Sequence, residues 1–101
     1  MSLERSRLFE AVHAALRARH YSRRTEKAYV GWIERFVRFH RGRHPATMAE
    51  PEIVAFLTHL ATARHVSPST QTQALSALLF LYEKVLGRKI DRSERIVRAK
   101  P

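Results

Sequence analysis

Apolar residues recur at intervals of three and four along nearly the whole chain, and no segment alternates apolar with polar side chains. A half-buried strand needs a period of two and an amphipathic helix a period near 3.6, so the pattern predicts an all-α chain. Breakers divide it into four helices. The first is expected from about Leu3 to Arg19, with Ser2 as N-cap, Glu4 at the positive end of the dipole, and Leu8, Phe9, Val12, Ala15 and Leu16 as its apolar stripe. The second runs from about Arg23 to Arg41, capped by Ser22, with Tyr29, Trp32, Ile33, Phe36, Val37 and His40 on one broad face. The segment Arg41-Gly42-Arg43-His44-Pro45 ends it. A third helix is expected from Glu50-Pro51 to about Arg64, burying Ile53, Phe56, Leu57 and Leu60. The fourth opens on Ser67 as N-cap and Pro68 as first helical residue, carries apolar residues at helical spacing to Leu86, and closes at Gly87. One core is expected around Phe9, Leu16, Trp32, Phe36, Phe56, Leu60, Leu75, Leu79 and Tyr82. A short helix is expected around Arg92–Arg98.

At 101 residues the chain is one domain, large enough to bury roughly two thirds of its unfolded surface without staples. Cysteine is absent, which excludes a disulfide framework, a thiolate zinc site and a cysteine nucleophile. No apolar run reaches the roughly 20 residues that span a bilayer. The first residues hold no apolar leader, so a cytoplasmic location is expected.

Charge is the strongest functional signal. Lys and Arg number 19 against 9 Asp and Glu, a net of +10. The excess is concentrated: residues 17–43 hold nine basic and two acidic side chains, and residues 84–101 hold seven and two. Two basic stretches flank a weakly acidic middle. Each alone reads equally as a solvated helix face; together they suit one basic surface for a polyanion, if the fold joins them. The second helix would also qualify as a basic amphipathic membrane helix, but its aromatic face is better used as core against three partner helices.

Two further features bear on chemistry. Ser67-Pro68-Ser69-Thr70-Gln71-Thr72-Gln73 opens a helix with seven uncharged residues. Short hydroxyls and amides there either cap the helix or donate to phosphates beside the free backbone N–H groups, and a Gln can read adenine. His40 and His44 have the i, i+4 spacing of half a zinc site, without a third ligand of matching placement. No glycine-rich phosphate loop and no nucleophile elbow is present, so neither a metal, a cofactor nor a catalytic group is assigned.

The run from His20 to Ile33, with its Ser-x-x-Thr-x-x-x-Tyr spacing at Ser22, Thr25 and Tyr29, resembles the second-helix signature of tyrosine recombinases. Trp32, Phe36, Phe39-His40, the run Phe56–Ala61 and the run Ser69–Tyr82 are similar, more narrowly, to integron integrases. The likeness extends over about residues 5–100. It implies a compact four-helix, SAM-like core-binding domain over residues 1–90, followed by a basic linker, 91–101, toward a catalytic domain. That second domain would bear the Arg, Lys, His-x-x-Arg, His or Trp and Tyr nucleophile that this chain lacks. It also implies one half of a clamp on double-stranded recombination-site DNA in the bacterial nucleoid, with the second and fourth helices facing the duplex and assembly of copies on DNA. On that basis Arg23, Arg24, Lys27, Arg38, Arg41, Lys84, Arg88 and Lys89 would contact phosphates. Ser69, Thr70, Gln71 and Gln73 would position the fourth helix or read base edges. The alternative is a helical protein–protein interaction module, a use that SAM-like domains share.

Overall fold

The computed structural model describes residues 3–91 and 97–101. The expected cap Ser2 and most of the helix expected around Arg92–Arg98 lie outside them; Val97 and Arg98 are irregular. Four helices form: α1 (Leu3–Ala18), α2 (Arg23–Phe39), α3 (Glu50–Thr62) and α4 (Pro68–Phe80). A 3-10 turn, Pro45–Thr47, precedes α3, and a π-helical turn, Leu81–Val85, extends α4. Among the described residues there is no strand.

The caps follow from local chemistry. Ser22 Oγ accepts from Thr25 N at 3.1 Å, and Ser67 Oγ accepts from Thr70 N at 3.2 Å. Each satisfies one of the N–H groups that a helix start leaves unpaired. At α3 the N-cap is Ala49, whose N–H donates to Glu52 Oε1 at 2.7 Å. The helix ends depart from expectation. α2 stops at Phe39, two residues early, because Arg41 takes a left-handed φ of +59°. Arg41 N donates to Arg38 O at 3.0 Å and Gly42 N to Val37 O at 2.8 Å, which closes the helix. His20 ends α1 the same way, with φ +59°, and His65 follows α3 with φ +51°. Gly87, φ +66°, closes the last turn as expected.

The core sits between α2, α3 and α4, with α1 laid across. Trp32, Ile33, Phe36 and Val37 are buried from α2, Ile53, Phe56, Leu57 and Leu60 from α3, and Val12 and Leu16 from α1. Each such side chain contributes about 1.5–3 kcal/mol on burial. Phe36 lies at the centre, edge-on to Phe56 at 5.7 Å and to Tyr82 at 6.4 Å between ring centroids. Phe9, Leu75 and Leu79 are only half-buried, packed on the rim of this core.

α4 does not run unbroken to Leu86. Phe80, Leu81 and Tyr82 are all buried, although three successive residues of an α-helix spread over about 200° of its circumference. They are enclosed on more than one side: Phe80 packs on Tyr21 and Tyr29 at 5.4 and 5.8 Å between ring centroids, Tyr82 faces Phe36, and Val85 and Leu86 in and after the π turn are half-buried. Packing also continues past Gly87, up to and into the stretch 91–101. Ile90 is buried at the end of the expected domain, and Ala99, in the stretch expected to be linker, is 8% exposed.

Candidate nucleic-acid interface

α2 carries the basic surface. Arg23, Arg24, Lys27, Glu34, Arg35 and Arg38 fall on one stripe opposite the buried aromatic face, and all six are exposed. The pattern is a direct consequence of cost: a cation cannot enter this apolar core unpaired, so the stripe that is not core must face water. The stripe borders a depression on each side. Toward α1, Arg23, Lys27 and Glu34 line an open groove with His13, Arg17, His20 and Tyr21. Toward α3, Arg35 and Arg38 line a shallow hollow with Phe39, His59 and Arg64. Sequence reasoning passed over Arg35. It sits three residues after Trp32, and its guanidinium lies over that indole, 4.4 Å from the ring centroid.

One carboxylate is built into the groove. Glu26, 7% exposed, is bonded to the His13 ring, and its Oε2 lies 3.2 Å from Arg17 Nη2. The hydrogen bond from His13, helped by Arg17 against the cost of burial, holds the Glu26 carboxyl below its ordinary range. Arg17 is therefore paired, and the pair ties α1 to the first turn of α2.

The polar opening of α4 is used differently. Gln71, expected at the DNA surface, is 2% exposed. Its Nε2 donates to Leu57 O at 3.0 Å and to Val97 O at 2.7 Å, and its Oε1 accepts from Ala99 N at 2.9 Å. A side chain so enclosed cannot reach a groove of DNA, so Gln71 is corrected from contact residue to internal clamp. Ser69 and Thr70 close on the cap, with Ser67 Oγ 3.2 Å from Ser69 Oγ and 2.9 Å from Thr70 Oγ1. Gln73 is exposed, and its Oε1 accepts from Trp32 Nε1 at 3.1 Å. Through Gln73, Trp32 and Arg35 the start of α4 meets the basic stripe of α2.

The described residues of the second basic stretch line neither depression beside that stripe. The Arg88 guanidinium donates to Met48 O at 2.9 Å and Ala46 O at 3.2 Å, and lies 5.3 Å from the Tyr82 ring centroid. Its Nη1 thus fastens the chain before α3, so Arg88 is held by the fold at one edge of its guanidinium. Lys84 and Lys89 are exposed but line neither depression beside α2, and Arg41 lies past the helix end. Arg98 and Lys100 line a separate hollow with His65 and Val66 at the α3–α4 turn. The histidine pair is likewise structural: His40 Nε2 bonds Glu52 O at 2.9 Å, and His44 Nδ1 accepts from Ala46 N at 3.0 Å. Among the described residues no helix is long and apolar enough to cross a membrane.

Comparison with known proteins supplies the family. Residues 8–92 match the phage integrase N-terminal SAM-like domain. The chain belongs to this family. Relatives named integrase/recombinase from Escherichia coli and from Pseudomonas aeruginosa are each 47% identical to it over 95 residues, 94% of the chain. The chain spans 28% of the length of those relatives. The four-helix integrase domain therefore presents a helix face of five exposed cations and one carboxylate, Glu34, and the α4 residues expected beside it are largely occupied within the fold.

Proposed function

We propose that this domain is the DNA-binding, non-catalytic part of an integron-type site-specific tyrosine recombinase and clamps recombination-site duplex. The observation that carries the reading is the α2 stripe, whose exposed cations are continuous with basic depressions on both sides. Arg23, Arg24, Lys27, Arg35 and Arg38 contact phosphates, and Ser69 adds its hydroxyl at the start of α4. The integron assignment rests on the run from His20 to Ile33 and on Ser69–Tyr82. Cleavage and joining belong to the rest of a longer protein. Tyr82 is a poor nucleophile: its hydroxyl donates to Pro45 O at 2.8 Å, and burial pushes its pKa up. Burial, followed by the neighbouring Tyr21, raises that of Tyr29 as well.

The test is titration of the chain with a recombination-site duplex and a scrambled duplex across a salt series. Binding should weaken linearly in log–log form, with a slope of about −0.9 per phosphate neutralised. No covalent 3′-phosphotyrosyl adduct should form. Absence of duplex binding at low salt refutes the reading.

A further inference from the structure

We infer that Gly31 is the point where α2 comes closest to the duplex backbone, kept free of a side chain so that a phosphate strand can pass over the helix. The inference rests on the DNA-binding reading above and adds a register to it.

Gly31 is the middle residue of α2, which spans Arg23–Phe39. Glycine is a poor helix former, so its place at the centre of a helix calls for a reason. Conformation supplies none, since the positive-φ glycines are Gly42 and Gly87. Internal packing supplies none either, because a Cβ built on Gly31 meets nothing within 4 Å beyond its chain neighbours and the local helix backbone. The space beside it is open and lies on the cationic stripe. Arg24 and Lys27 lie seven and four residues before it, Arg35 and Arg38 four and seven after, and all four are exposed. These intervals put the cations about one and two turns away on the same face. Gly31 is thus the low point between two pairs of cations. A missing side chain there lets the helix backbone approach a ligand closely while both pairs reach phosphates. Glu34 borders the stripe on the α1 side and steers the strand toward the Arg24–Arg35 edge.

The experiment uses Gly31→Ala, Gly31→Gln and Gly31→Leu in the full chain, reading thermal melting and duplex affinity across salt. All three replacements favour helix, so melting temperatures should equal or exceed the parent's. Duplex affinity should fall with side-chain size, about threefold for Ala and tenfold or more for Leu, as the added atoms hold the helix off the backbone. The salt slope should become shallower in the same order, since cations lifted from phosphates release fewer counterions. If the parent binds with a steep salt slope and the folded variants bind equally well, Gly31 is not the point of approach and the DNA reading survives. Should the Leu variant unfold, the Ala and Gln variants decide by the same criterion. If the parent itself does not bind, both fall together.

Discussion

α2 and the opening turns of α4 meet each other, and both are polar on one side, yet they spend that polarity in opposite directions. Along the outer stripe of α2 the polar side chains are ionised and point outward. At the start of α4 they are neutral, and Gln71 turns inward while Ser67 and Thr70 bond one another. The difference is one of desolvation. An unpaired guanidinium or ammonium is too costly to bury, so charge marks a surface wherever it stands in a helix. An amide can be buried at modest cost if its donors and acceptor are all matched, as those of Gln71 are. Neutral polarity therefore does not announce which way a residue faces.

The largest effect that would break or sharpen this contrast is expected at Gln71. Gln71→Leu leaves the carbonyls of Leu57 and Val97 and the N–H of Ala99 without their partner, and should cost about 3 kcal/mol in urea denaturation. The salt slope of duplex binding should not change. A variant of parental stability that lost only its preference for cognate DNA would return Gln71 to the surface.

Alanine at Arg24, Lys27 or Arg38 should do the reverse. Stability should stay within about 0.5 kcal/mol, while the salt dependence of duplex binding flattens by about 0.9 for each phosphate left without its cation. Affinity should drop equally on cognate and scrambled sequences, because a phosphate contact carries no base information. Unchanged slopes in all three variants would remove α2 as the DNA surface.

Gln73 stands between the two cases, exposed yet bonded to Trp32. Gln73→Ala should cost about 1 kcal/mol and shift the indole emission of Trp32, since water replaces the missing acceptor only in part. An unmoved emission spectrum would show that the Gln73 amide does not hold the indole.

The smallest effect concerns Glu26. Its folded pKa lies below the ordinary value of 4.5, chiefly through the His13 hydrogen bond. A depressed carboxyl pKa adds stability that is present above the unfolded value and is lost as pH falls through the folded one. Melting temperature should therefore decline from about pH 4.5 downward, and Glu26→Gln should flatten that acid limb. An identical acid limb in the variant would remove Glu26 as the tie between α1 and α2.

The sequence alone determined the helical class, the places where α2, α3 and α4 begin, the buried faces of α2 and α3, and the outward stripe on α2. These follow from periodicity, from capping chemistry and from the cost of burying charge, all of which act within one or two helical turns. The left-handed ends at His20 and Arg41 were not legible, because neither of these positive-φ residues is a glycine and it is backbone bonding to the preceding turn that closes the helices. The π turn after Phe80 was not legible either, since Leu81–Val85 hold no Gly or Pro to mark it. Only the tertiary structure decided what Gln71 and Arg88 are for. Their partners lie in the α3 carbonyls, the chain before α3 and the C-terminal stretch, 14 to 42 residues away. A polar side chain's direction is set by such distant donors and acceptors, and no local pattern of residues encodes them.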